Sequence, residues 1–162
     1  MASRLVKVIF ELDSRDWHGH GSELLWATPV ANEHGDLQFQ IKNSPFFVTG
    51  IGHRDVIRAD RTESSMIYRF EEIVARSGHS TYMLLVREES GTFRTCWSHL
   101  EAKGCSYESM SIKLSMGERL LLSVDVPPAA NLLEAYDILK QGQADGVWMF
   151  QEGYAYQPAQ RA

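Results

Sequence analysis

From Thr81 to Val86 the chain is almost uninterruptedly apolar, Tyr82-Met83-Leu84-Leu85-Val86, as in a central strand covered on both faces. Phe93, Cys96, Trp97 and Leu100 then fall at i, i+3, i+4 and i+7. That spacing predicts one buried face of a helix about three turns long, with Gly104 where a left-handed cap belongs. Met110, Ile112 and Leu114 alternate with Ser109, Ser111 and Lys113, predicting a strand with one solvated face at a sheet edge. Ser115 to Glu118 turns the chain, and Leu120, Leu122, Val124 and Val126 resume the alternation, completing a hairpin. Pro127-Pro128 stops that strand, because proline has no N–H for the ladder. Asn131 and Glu134 form a capping-box start for a second helix, whose buried face is Leu132, Leu133, Tyr136 and Leu139. Gly142 or Gly146 closes it, and Val147 to Phe150 reads as a last short strand. The order βαββαβ is the split-βαβ, ferredoxin-like motif, with two helices on one face of an antiparallel sheet. Its first strand is apolar on both sides, so the N-terminal half is expected to cover part of the other face.

That half reads as all-β. Val6, Val8, Phe10 and Leu12 alternate with more polar positions. Leu24 to Val30 forms a second run, and after the turn cluster Asn32 to Asp36, Leu37, Phe39 and Ile41 restart the pattern. Pro45-Phe46-Phe47 and Gly50-Ile51-Gly52 are irregular. Val56 to Ala59 and Met66 to Phe70, continued to Ala75, make a further hairpin. Five short strands in about 75 residues suggest a small, partly open SH3-like β-barrel. The expected class is therefore α+β: an SH3-like barrel over 1–76, packed on a ferredoxin-like βαββαβ sandwich over 77–153, then a polar, poorly held tail over 154–162.

Charge and composition narrow the partners. The 162 residues are 44% hydrophobic, enough for a real core. Sixteen Lys and Arg against 21 Asp and Glu leave a net charge of −5, and both halves are acidic. An acidic surface disfavours nucleic acid and favours a basic partner. No apolar run approaches the ~18 residues of a membrane span, and the start at Met1 lacks the apolar core of an export signal, so a cytoplasmic protein without membrane contact is expected. Cys96 and Cys105, nine residues apart, match neither a redox pair nor a zinc knuckle and read as two buried free thiols. A glycine-rich phosphate loop, a Gly-x-Ser-x-Gly elbow and a His-Glu-x-x-His helix are all lacking, which removes the common NTPase and hydrolase readings. No cofactor is expected.

Three segments hold candidate chemistry. Arg76, Ser77, His79, Ser80 and Thr81 concentrate a guanidinium, three hydroxyls and an imidazole at the expected junction, a set suited to binding an anion; in an enzyme, His79 with Arg76 and Ser80 would be the acid/base group and its helpers. The bland alternative has Ser77 and Thr81 bonded to local backbone and His79 on the surface. Asp16, His18 and His20 have metal-like spacing, but Gly19 and Gly21 loosen the segment, and a solvated loop is the stronger reading. Trp17, Trp26, Trp97 and Trp148 read mainly as core. Phe46 and Phe47 differ, because adjacent aromatics after Pro45 in an irregular loop cannot easily both face inward; they and Asp55 are the candidate partner contacts.

Several pieces together resemble a bacterial domain-of-unknown-function family, number 4265: Leu25-Trp26-Ala27; Pro45-Phe46-Phe47 with Gly50-Ile51 and Asp55-Val56; Arg76-Ser77-Gly78-His79-Ser80-Thr81-Tyr82; Val124-Asp125-Val126-Pro127-Pro128; and Gly146-Val147-Trp148 with Glu152-Gly153. The resemblance implies a bacterial origin and carries no catalytic residues. By analogy with small acidic bacterial proteins that neutralise secreted toxins, the expected role is that of an immunity or other protein-binding protein whose partner is a basic toxin domain. A small-molecule or anion sensor at the junction and an enzyme built on Arg76 to Tyr82 are the alternatives.

Overall fold

The computed structural model describes residues 4–158 and is α+β. Strands β1 (Val6–Glu11), β2 (Ser22–Val30), β3 (Gln38–Ile41), β4 (Val56–Arg61) and β5 (Ile67–Ala75) form a closed five-stranded barrel. Neighbours along the chain pair antiparallel, and β1 meets β5 in parallel, Val8 opposite Tyr68. This last pairing corrects the expectation of a partly open barrel: it uses up both free edges and is invisible to local pattern. Inward positions are those of the period-2 alternation, with Val6, Val8, Phe10, Leu25, Ala27, Phe39, Ile41 and Ile57 all buried.

The second unit runs β6 (Ser80–Val86), α1 (Gly91–Ala102), β7 (Ser106–Leu114), β8 (Gly117–Val126), α2 (Leu132–Ala144) and β9 (Met149–Tyr154). Its sheet is antiparallel in the order β7-β8-β6-β9, so the two most apolar strands are central. The second helix starts on its expected cap, Asn131 Oδ1 accepting from Glu134 N at 3.1 Å, and the first on Ser90, whose Oγ accepts from Phe93 N. Both end in the paired hydrogen bonds of a Schellman motif, at Gly104 (φ +94°) and Gly146 (φ +74°). Gly146, not Gly142, closes α2. Tyr82, Leu84, Leu122, Val124, Phe93, Trp97, Leu100 and Leu139 fill the core between sheet and helices.

The last strand lies later than expected. Trp148 is outside it, buried against α2 with Nε1 donating to Leu139 O, and Tyr154 ends β9 rather than beginning a loose tail. Tyr156 N also donates to Ser80 Oγ at 2.9 Å; residues 159–162 of the expected tail lie outside the described residues. Among the described residues no helix is long and apolar enough to cross a membrane.

The long β3–β4 connection joins the two units. Its Phe46 and Phe47 pack on Met83, Ile112 and Leu121 of the sheet face opposite the helices, which the N-terminal half thus covers in part. Buried Glu23 on β2 holds this connection in shape, accepting from the backbone N–H of Phe46, Phe47 and Val48 at 2.7, 3.1 and 2.9 Å. Ser123 Oγ of β8 donates to Pro45 O, and Gly50 N to Gly153 O of β9.

Candidate functional site

The β3–β4 connection brings three residues together where barrel and sheet meet. His53 comes from that connection, His79 from the residue before β6, and Asp125 from β8, opposite Thr81. His79 Nδ1 donates to Asp125 Oδ1 at 2.8 Å, and His53 turns Nδ1 toward Asp125 Oδ2 at 3.7 Å. The imidazoles stand edge to face, 5.2 Å between centroids. Side-chain exposure is 25% for His53, 11% for His79 and 14% for Asp125, so the cluster is mostly shielded yet reachable. A Cβ on Gly52 would lie 2.7 Å from His79 O, showing how closely the two backbones approach.

The rest of the Arg76 to Thr81 segment is committed to architecture. Arg76 Nη1 donates to Gly50 O at 2.6 Å and to Asp55 Oδ2 at 2.9 Å, and its guanidinium lies 3.8 Å over the Tyr154 ring. Ser77 Oγ donates to His53 O and accepts from His79 N. Thr81 Oγ1 donates to Ile51 O at 3.1 Å, and Ser80 Oγ accepts from Tyr156 N. The hydroxyls therefore bond to backbone, as the bland alternative has it, although most of their partners are distant in sequence. His79 is not a surface residue. Of the set His79, Arg76 and Ser80, His79 pairs with Asp125, Arg76 Nη1 bonds to Gly50 O and Asp55, and Ser80 Oγ accepts from Tyr156 N.

Two candidate partner contacts also change role. Asp55 is fully buried, accepting from Gly52 N, Ser77 N and Arg76 Nη1 at 2.8 to 2.9 Å. It is an internal anchor rather than a surface contact. Phe46 and Phe47 are half-buried between the units, and Phe47 stacks on His20 at 4.3 Å between centroids and tilts against His18 at 4.9 Å. His18 is itself buried; its Nδ1 accepts from His20 N at 2.9 Å, while His20 Nδ1 donates to His18 O. Asp16, His18 and His20 thus build a folded loop braced on Phe47. Burial and the neighbouring His20 push the His18 pKa below its ordinary 6.5, against the opposing pull of Asp16, Glu23 and Asp13.

Sequence reasoning missed His53, whose only signal is a histidine after Gly50-Ile51-Gly52, and it gave Asp125 no chemical role. It also missed a groove. Trp17, Met83, Leu85, Leu114, Met116 and Phe150 line an apolar groove of about 390 Å³ on the sheet face that Phe46 and Phe47 leave uncovered. Trp17, Met116 and Met149 there are exposed. Beyond Trp17 and Gln151, which border both, lies a recess of about 330 Å³ that includes Glu11, Asp13 and Asp16. Asp13 is paired with Arg15 at 3.0 Å, whose guanidinium lowers the Asp13 pKa.

The model of a family described as "Domain of unknown function (DUF4265)" matches residues 23–150. A crystal structure of a hypothetical protein from Neisseria gonorrhoeae is similar over 97% of this chain and 99% of that one, with a TM-score of 0.64 at 17% identity; at that identity the likeness speaks for the fold alone. A search of curated proteins found no match.

Proposed function

The chain belongs to the DUF4265 family, and from that premise we propose that it is a non-enzymatic binding protein whose partner is a protein segment carrying a bulky apolar side chain beside a Lys or Arg. One observation carries the reading: the apolar groove and the acidic recess adjoin across Trp17 and Gln151. An apolar anchor is desolvated in the groove while a cation meets Glu11 and Asp16, and the net charge of −5 speeds the encounter with a basic partner. The three methionines at the groove, Met83, Met116 and Met149, adapt their shape to the entering side chain. Neutralisation of a basic toxin domain in a reducing cytosol is the biological form of this binding that we favour; the free Cys96 and Cys105 support that compartment. We also read the strand order β7-β8-β6-β9 with two helices on one face as ferredoxin-like, and the five-stranded barrel as SH3-like.

The test is selection of random displayed peptides on the immobilised full-length protein. Enriched peptides are expected to carry an aromatic or aliphatic residue next to Lys or Arg, to lose binding to Trp17→Ala, and to bind Asp16→Asn more weakly and with less salt dependence. Enrichment of acidic peptides, or binding that Trp17→Ala leaves intact, would overturn the reading.

A further inference from the structure

We propose that His53, His79 and Asp125 form a binding site for a borderline divalent transition-metal ion, with zinc as its best-suited occupant, at the seam between barrel and sheet. The geometry is that of a site rather than of a chance pair. Three segments far apart in sequence deliver two imidazoles and one carboxylate whose ligand atoms all lie within 4.8 Å of one another. Both rings turn Nδ1 toward the same carboxylate, each facing a different oxygen, at 2.8 and 3.7 Å. An ion placed among these atoms replaces the proton shared by His79 and Asp125.

Bond lengths decide how much must move. Zinc holds nitrogen and oxygen ligands at about 2.0–2.1 Å, so tetrahedral ligands stand about 3.3 Å apart. The His79–Asp125 pair already lies inside that separation and opens slightly, while the widest separation of 4.8 Å closes by about 1.5 Å. Rotation of the His53 side chain supplies much of that movement: it is the most exposed of the three and sits 3.7 Å from its carboxylate oxygen. His79 and Asp125 are held more firmly, the first by its bond to Asp125, the second within the central strand β8.

The donor set selects the ion. Two neutral imidazoles and one carboxylate suit zinc and its neighbours in the transition series, and provide too few oxygens for calcium or magnesium. Three protein ligands leave one position for water, and two openings admit it. His79 borders a hollow of about 730 Å³ with Arg76, Pro127 and Pro128, and His53 and Asp125 border a recess of about 70 Å³ with Ser44 and Tyr107. Neither Cys96 nor Cys105 belongs to the ligand group. Because His53 belongs to the barrel side and the other two to the sheet side, a bound ion bridges the units, so binding stabilises the fold by an amount that grows with the logarithm of the free ion concentration.

The experiment is calorimetric titration of chelator-treated full-length protein with zinc chloride, alongside thermal unfolding over the same zinc range and cobalt(II) as an optical probe. One zinc per chain is expected, with a midpoint of unfolding that rises with zinc and not with magnesium, and with visible absorption of tetrahedral cobalt lacking a thiolate charge-transfer band. His53→Ala removes a partly exposed ring and keeps the fold; it is expected to weaken zinc binding at least tenfold, as is His79→Gln, while His20→Ala, in the other histidine cluster, leaves it unchanged. Failure of the wild-type protein to bind zinc, or binding that survives His53→Ala and disappears in His20→Ala, would overturn the proposal. In either event the three residues are a hydrogen-bonded bracket only.

Discussion

Arg76 Nη1 lies 2.9 Å from Oδ2 of Asp55, a carboxylate with no exposed surface. The pair ties the end of the barrel to the β3–β4 connection, and Asp55 also holds the backbone N–H groups of Gly52 and Ser77. A buried carboxylate is tolerated only where its hydrogen bonds are satisfied.

Removing the Arg76 side chain leaves Asp55 with two backbone donors, so Arg76→Ala is expected to cost about 2 kcal/mol, the range of a hydrogen bond to a charged group. Asp55→Ala removes three hydrogen bonds to a charged group at once and strands two backbone N–H groups, and is expected to cost more, about 3–5 kcal/mol. Urea unfolding of the two variants checks the order; equal, small losses would show that water replaces the carboxylate readily.

Gly142 sits inside α2, where propensity alone favours alanine by about 1 kcal/mol. A Cβ there would meet the Trp148 ring at 2.4 Å, and that ring is buried with its Nε1 bonded to Leu139 O. The clash wins, and Gly142→Ala is expected to destabilise by about 2 kcal/mol. Gly91, at the start of α1, has nothing within 4 Å of an added Cβ, so Gly91→Ala is expected to stabilise by up to about 1 kcal/mol. Thermal unfolding should move the two variants in opposite directions.

His18 accepts a hydrogen bond from His20 N through Nδ1 and has a pKa below its ordinary 6.5. The folded protein therefore favours the neutral ring: this contribution is fully present above pH 6.5 and is lost as the pH falls through the lower, folded value. Below pH 6.5 the wild-type protein should lose stability faster than His18→Gln. Parallel curves of melting temperature against pH would assign the acid sensitivity to other groups.

Cys105 is buried, and desolvation, with the charge of Asp125, pushes its thiol pKa up to about 11. Such a thiol is a poor nucleophile at neutral pH. Both thiols should titrate in urea, and Cys105 should resist alkylation in the native protein while the half-buried Cys96 reacts sooner. Mass-mapped alkylation reads this directly; early labelling of Cys105 would show that the turn between α1 and β7 opens.

Each element announced itself through short-range chemistry. The alternation at Val6, Val8 and Phe10, the helical spacing of Phe93, Trp97 and Leu100, and the caps Asn131 and Gly104 all act within a few residues, and local pattern recorded them. The same locality explains the misplacement of β9: Trp148 is apolar like a strand residue, but it is held by Leu139 O and Gly142 on α2. For the site, the segment around His79 was legible as a concentration of polar groups. Its use was not.

What the sequence by itself determined was therefore where most elements lie and which face of most strands is buried, because burial of one face imposes a period on the chain; on α2 it misplaced that face, for Leu133 and Tyr136 are exposed while Ala135 and Leu139 are buried. Only the tertiary structure decided which distant residues meet. Closure of the barrel by β1 against β5, burial of Asp55 beneath Arg76, and the meeting of His53 and His79 at Asp125, 46 residues beyond His79, depend on the path of the whole chain. A charged or polar side chain carries no periodic signal of its fate: it is stable inside or outside according to the partners that path supplies.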